Sequence, residues 1–77
     1  MTDSFKILIE VAFDVKVFFN VASYTLYQYE DGSYVEFRVR KIKDLPKLIK
    51  LSQGLEIFLY ESEGEIIVRV YENPSEL

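Results

Sequence analysis

Residues 24–40 read YTLYQYEDGSYVEFRVR. Two runs that alternate apolar and polar residues flank Asp31-Gly32, a pair that tolerates the positive φ of a tight two-residue turn. This stretch therefore predicts a β-hairpin, and the rest of the fold is built around it. With Asp31 and Gly32 at the centre of the turn, Tyr29 lies opposite Tyr34.

The two faces of this hairpin differ in character. Leu26, Val35 and Phe37 share one face, which we expect to pack against the core because it is the more apolar of the two. The opposite face pairs Tyr27 with Glu36, and we expect it to point outward. Large rings on an exposed sheet face indicate a contact surface. The other members of this outward face are Ser23, Thr25, Tyr29, Tyr34, Arg38 and Arg40.

The N-terminal segment alternates as well. From Phe5 to Phe13 every odd-numbered residue is apolar, which predicts a strand. Residues 15–22 fit either a strand or a helix capped by Asp14, and their three valines and two phenylalanines favour the strand. The helix remains the alternative for this second segment.

One helix has clear boundaries. Asp44 can cap its first turn, and Pro46 is tolerated there because the missing N–H would have no partner. Gly54 suits the left-handed position that ends a helix. The segment between them has an apolar stripe formed by Leu45, Leu48 and Ile49, with Lys47 and Lys50 turned to water.

A second hairpin follows, with strands Leu55–Glu61 and Glu65–Tyr71 about a turn at Glu63-Gly64. Both of its faces are apolar, so we expect both to be covered, one by the helix and the other by a second subunit. One face carries Ile57, Leu59, Val68 and Val70, and the other carries Phe58, Tyr60, Ile67 and Tyr71.

These elements predict an α+β fold in a single domain, residues 1–77, with loose ends near residues 1–4 and 73–77. The expected sheet is antiparallel, with four to five strands and one principal helix. The expected order is β-β-β-α-β-β, and the alternative is β-α-β-β-α-β-β.

Composition favours a homodimer. A chain of 77 residues buries only about 60% of the surface that it exposes when unfolded. Hydrophobic residues nevertheless make up 49% of the chain and aromatic residues 16%, and no cysteine is present to form a stabilising disulfide. Part of the apolar surface is therefore expected to be buried between subunits. A monomer whose second sheet face is covered by residues 15–22 is the competing arrangement.

The N-terminus lacks the basic start of a signal peptide, and the longest uncharged run, residues 17–29, is too short and too polar to span a membrane. We therefore expect a soluble, cytoplasmic protein with no membrane partner. The scarcity of Asn and Gln beside plentiful Glu, Lys, Ile and Val is a thermophile-like bias.

Catalytic chemistry has no visible basis in this sequence. Histidine and cysteine are both absent, so the commonest general base, metal ligand and thiol nucleophile are missing. The acidic run from Glu61 to Glu65 lacks the twelve-residue frame of a calcium loop and is better explained as a charged turn. We expect a non-enzymatic protein with no catalytic residues, no metal and no cofactor.

Charge is distributed unevenly along the chain. Six of the nine basic residues fall between positions 38 and 50, whereas the region after residue 54 is acidic. Such a distribution can serve an anionic ligand, head-to-tail self-association or internal ion pairing. The basic candidates for an anion or nucleic-acid site are Arg38, Arg40, Lys41, Lys43, Lys47 and Lys50.

Two functions follow from these features. The first is an interaction or adaptor domain that self-associates, or binds a protein partner, through a tyrosine-rich sheet face. Its expected interface residues are Tyr27, Tyr29, Tyr34, Phe58, Tyr60, Ile67 and Tyr71. The alternative is a single-stranded nucleic-acid binder that uses Tyr27, Tyr29, Tyr34, Arg38 and Arg40. The net charge of −4 favours the first, because nucleic-acid-binding domains are usually basic.

Overall fold

The computed structural model describes residues 3–72. It contains one antiparallel four-stranded sheet and two helices, which confirms the α+β class and the predicted number of strands. The strands lie in the order β1-β2-β4-β3. In chain order the elements are α1 (Asp3–Phe18), β1 (Thr25–Tyr29), β2 (Gly32–Val39), α2 (Leu45–Leu51), β3 (Glu56–Ser62) and β4 (Glu65–Tyr71).

The last five elements follow the predicted order, but the first does not. The strand predicted over Phe5–Phe13 is wrong, and so is the extended structure preferred for residues 15–22, because a single 16-residue helix occupies Asp3–Phe18. A helical stripe is hidden within the alternating pattern, and it forms the buried face of α1. That stripe consists of Leu8, Val11, Ala12 and Val15.

Packing decides between the two periodicities of this segment. A strand would have placed Leu8 and Ala12 on the polar side with Lys6, yet both are fully buried in the core. Asp14 lies inside the helix, so its predicted capping role is wrong. The last six elements of the alternative order, with a helix before the first hairpin and a second helix between the hairpins, match the described chain, and α1 is more than twice as long as α2.

The end of α1 is a Schellman motif. The Val21 N–H donates to the Lys16 carbonyl at 3.0 Å, and the Asn20 N–H donates to the Val17 carbonyl at 3.3 Å. Asn20 takes the left-handed conformation with φ 56°. Asparagine tolerates this conformation better than most residues, so the chain reverses here and brings Val21 into the core.

The signals for α2 are confirmed. The Asp44 carboxylate accepts a hydrogen bond from the Lys47 backbone N–H at 3.1 Å, and Pro46 lies in the first turn. Gly54 takes a positive φ of 86°, but the left-handed position directly after the C-cap Ser52 belongs to Gln53, with φ 55°, so Gly54 lies one residue beyond its predicted role. Of the three residues in the expected apolar stripe, Leu48 is buried, whereas Leu45 and Ile49 are exposed.

The first hairpin forms, with a turn one residue earlier than predicted. Glu30 and Asp31 occupy the turn and Tyr29 pairs with Gly32, so Tyr27 lies opposite Tyr34 rather than Glu36. Gly32 takes the positive φ, 145°, which Asp31 does not. Because the pairing shifts by two residues, every side chain keeps its predicted face.

The second hairpin matches its prediction closely. Glu63 and Gly64 both take left-handed φ values, 53° and 82°, as a primed two-residue turn requires. Ile57 pairs with Val70, and Leu59 pairs with Val68, so the expected apolar face is formed.

Both helices pack on the same face of the sheet. Val15 and Val21 belong to the same core as Phe37, Val68 and the α2 residue Leu48. Residues 15–22 therefore do not cover the opposite face, and that predicted monomeric arrangement is wrong. The predicted loose ends lie mostly outside the described residues, although residues 3 and 4 belong to the first turn of α1.

Candidate interface on the open sheet face

The face of the sheet that points away from both helices is called the open face here. Strand register arranges its side chains in three rows across the sheet. The first row contains Tyr27, Tyr34, Tyr71 and Glu56. The second contains Thr25, Glu36, Arg69 and Phe58, and the third contains Arg38, Ile67 and Tyr60, with Tyr29 next to the first row at the end of β1.

Rings of the first row contact one another across three strands. The Tyr27 and Tyr34 centroids are 4.8 Å apart with 27° between their planes, and the Tyr34 and Tyr71 centroids are 4.7 Å apart. Tyr29 stacks on Tyr34 at 6.1 Å, and Phe58 meets Tyr71 edge to face at 5.2 Å. These distances are typical of favourable aromatic pairs, so the five rings form one connected cluster.

Arg69 is the centre of the polar interactions on this face. Its Nε donates to Glu36 Oε1 at 2.9 Å, and its Nη1 donates to the Tyr71 hydroxyl at 3.3 Å. The guanidinium carbon also lies 4.8 Å from the Tyr34 ring centroid and 5.4 Å from that of Tyr60. One side chain therefore joins the aromatic row to the carboxylate in the next row.

Arg69 is not among the residues predicted from the sequence. It is the only basic residue in the second hairpin, and it alternates with Ile67 and Tyr71 on the outward side of β4. A single basic residue on the outward side of an otherwise apolar and acidic hairpin could have identified Arg69 as a candidate from the sequence. Its partner Glu36 belongs to β2, however, and only the adjacency of β2 and β4 brings the two together.

This environment changes two pKa values. Hydrogen bonds to Tyr71 and Glu36 raise the pKa of Arg69 above its already high ordinary value. Desolvation raises the pKa of the Tyr34 hydroxyl, and the nearby Arg69 charge partly opposes that increase. Arg69 therefore stays charged and Tyr34 stays neutral throughout the physiological pH range.

The charges on the open face are largely neutralised within the subunit. Glu36 is only 9% exposed and lies between Arg69, at 2.9 Å, and Arg38, at 3.9 Å. Arg38 also approaches Glu65 at 3.5 Å. Both arginines of this face are thus engaged with carboxylates, and neither is left as an unpaired cation.

All seven predicted interface residues lie on the open face, but they differ in accessibility. Tyr29, Phe58 and Tyr60 are exposed, at 57%, 48% and 44%. Tyr27, Tyr34 and Tyr71 are half-buried by their ring contacts. Ile67 is only 1% exposed, so its predicted role as a contact residue is wrong. Its register neighbours Arg38 and Tyr60 have side chains long enough to cover it.

The structure does not gather the six predicted basic residues beside the tyrosines. Arg38 lies on the open face, whereas Lys47 and Lys50 lie on α2 in the helical layer. The ammonium groups of Lys43 and Lys47 each lie 5.2 Å from the ring centroid of Phe18. Arg40 and Lys41 follow the end of β2.

Two apolar surfaces of the helical layer were also missed. The outward side of α1 exposes Phe13, at 62%, beside Ile9 and Val17. A groove of about 380 Å³ lies between α2 and β3. Strand periodicity had assigned Phe13 to a buried face, so this exposure could not be found from that pattern. The groove is lined by Leu45, Ile49, Leu55, Ile57 and Leu59.

In the part of the chain that the structure describes, no helix has the length and apolarity to cross a membrane, and no three acidic side chains converge as metal ligands. No known protein family, curated protein or solved structure matches this chain.

Proposed function

We propose that the protein is a non-enzymatic interaction module that forms a homodimer by packing two open faces together. The observation that carries this proposal is an uncovered sheet face on which exposed aromatic rings surround an internally neutralised ion pair. Face-to-face packing of two sheets, about 10 Å apart, would bury these rings in a shared second core.

Charge supports a second copy as the partner. When like surfaces meet, unpaired charges of the same sign would be brought together and desolvated. Here Arg69 and Glu36 already neutralise each other, as do Arg38 and Glu65. The ion-paired centre of the face can therefore meet its own copy without a large electrostatic penalty, whereas Glu56, on the edge strand β3, has no ion pair among the described residues and has to stay at the rim of the contact. Tyrosine also suits this role because its hydroxyl can hydrogen-bond while its ring is buried.

Size indicates how stable the dimer is. Four strands about 4.8 Å apart, with seven residues that rise about 3.4 Å each, span roughly 19 Å by 24 Å, or about 450 Å². That area is near the largest patch found on typical monomers and below the ~800 Å² per partner of a standard interface. We therefore expect a reversible dimer that dissociates on dilution.

The test is sedimentation equilibrium over a hundredfold range of concentration, with a matched pair of variants. Phe58→Glu places a charge in the open face and should raise the dissociation constant of the dimer at least tenfold. Phe13→Glu makes the same change at another exposed phenylalanine, on the outward side of α1, and it should leave that constant unchanged.

Three results would oppose the proposal. A monomer at every concentration would do so, and so would dissociation by Phe13→Glu but not by Phe58→Glu, which would move the interface to α1. Equal effects of both variants would indicate non-specific association. Circular dichroism spectra should show that both variants keep the native fold.

Single-stranded nucleic acid is the weaker candidate, favoured by the row of tyrosine rings. Those rings stack on one another, and Arg69 covers two of them, so few ring faces are left for bases. We expect no retention of a labelled oligonucleotide by the open face at low salt. Retention that Tyr29→Ser abolishes would reverse this ranking.

A further inference from the structure

A groove opens at the edge of the sheet where β2 continues beyond Thr25, the first residue of β1. Two adjoining hollows of about 170 and 320 Å³ lie between residues 19–24 and the last part of β2. They share Val21, Ala22 and Arg38 in their linings. The larger hollow is called the basic groove here, because four cationic residues line it and no acidic residue does. Those four are Arg38, Arg40, Lys41 and Lys43.

Most of this positive charge has no compensation. Within residues 3–72, neither Arg40 nor Lys41 nor Lys43 forms an ion pair. Asp44, the nearest acidic residue in the chain, is engaged as the cap of α2. Lys43 is held instead near the rings of Phe18, at 5.2 Å, and Phe19, at 5.9 Å. Clustered cations repel one another, and an anion in the groove would relieve that repulsion.

The backbone adds a donor at the same place. The Ser33 carbonyl accepts a hydrogen bond from the N–H of Glu72, the residue that follows β4, so Ser33 and every second β2 residue after it direct their backbone groups towards β4. Arg38 belongs to the other set of alternate residues, whose backbone groups point to the opposite side of β2. Its N–H is therefore directed towards the β1 side. The β1 pairing ends at Thr25 opposite Glu36, and no described backbone carbonyl accepts from the Arg38 N–H.

We propose that the basic groove binds a phosphate group, either as inorganic phosphate or as the phosphomonoester of a small molecule. A phosphate oxygen accepts from the Arg38 N–H while guanidinium and ammonium groups neutralise the remaining charge. The volume, about 320 Å³, lies at the lower end of small-ligand sites. The site is separate from the proposed dimer contact, since only Arg38 belongs to both the groove and the open face.

The experiment is an NMR titration of the ¹⁵N-labelled protein with inorganic phosphate at constant ionic strength. The expected result is a saturable downfield shift of the Arg38 amide proton, as a hydrogen bond to an anion produces. The variant Arg40→Gln/Lys43→Gln should weaken phosphate binding about tenfold. The matched control Lys6→Gln/Lys50→Gln removes the same charge outside the groove and should change the affinity by less than about twofold.

Parallel titrations with sodium chloride, a nucleoside monophosphate and a single-stranded DNA decamer identify the ligand class. Saturation by the monophosphate and not by chloride supports the proposal. An unmoved Arg38 amide overturns it, and so does equal weakening by the two double variants. Far tighter binding of the decamer, with shifts that extend to the tyrosine amides, overturns it in favour of nucleic acid. Sedimentation equilibrium tests the dimer proposal independently of these titrations, so the failure of one proposal can be distinguished from the failure of the other.

Discussion

The two faces of the sheet are built from the same four strands, yet different forces hold their side chains. On the helix-covered face, Val35, Phe37 and Val70 are almost completely buried among other apolar side chains. On the open face, Tyr34 and Tyr71 are half-buried by ring contacts, and Arg69 neutralises Glu36. The comparison shows that burial of apolar side chains stabilises the helix-covered face. On the open face, ring contacts and an ion pair fix the positions of the side chains while leaving the face accessible to solvent.

The largest effect should come from the covered face. Phe37 is 1% exposed and contacts the ring of Tyr24 at 5.5 Å. Phe37→Ala should lower the free energy of unfolding by about 3–5 kcal/mol, because it removes buried surface and leaves a cavity. Urea denaturation at one protein concentration measures this loss. A loss no greater than that caused by Tyr29→Ala on the open face would contradict the division between the two faces.

A smaller loss is expected from the ion pair of the open face. Arg69→Met should cost about 2 kcal/mol of stability, because it leaves the buried Glu36 carboxylate with only the more distant Arg38. Adding Glu36→Gln should restore part of that loss, and a double-mutant cycle by urea denaturation measures the coupling. Additive losses in the cycle would mean that the two residues stabilise the face independently.

The smallest effect concerns alkaline pH. The pKa of Tyr34 is raised in the folded protein, so its neutral form stabilises the fold below the ordinary tyrosine pKa of about 10. Stability should then fall as the pH rises from about 10 through the raised value. Thermal denaturation between pH 8 and 11 should show a shallower decline for Tyr34→Phe. An identical decline in both proteins would assign the pH dependence to other groups.

Local chemistry predicted the turns, caps and faces of this fold. Asp44 caps α2, Glu63 and Gly64 form a primed turn, and strand alternation placed every open-face tyrosine correctly. Such features depend on backbone geometry and on residues close in the chain, so the sequence expresses them directly. The first turn lies one residue earlier than predicted, which shifts the cross-strand partners by two residues. Because two is an even number, each tyrosine stays on its predicted face.

The candidate site was predicted only in part. Its rings were identified because alternation assigns side chains to faces, but Arg69 and the burial of Ile67 were missed. Both depend on β2 lying beside β4, and strand order is not encoded in the pattern of any single strand. The basic cluster was visible as a charge run, whereas its groove exists only because β1 is shorter than β2.

The sequence by itself determined an antiparallel α+β fold, its two hairpins, its short capped helix and an outward tyrosine face. Only the tertiary structure decided that residues 3–18 form a helix. Both periodicities are present in that segment, and the free energy of burying Leu8, Val11 and Ala12 against the sheet selects one of them. Tertiary structure likewise created the Glu36–Arg69 pair and the basic groove, because each joins residues from strands or segments that are distant in the chain.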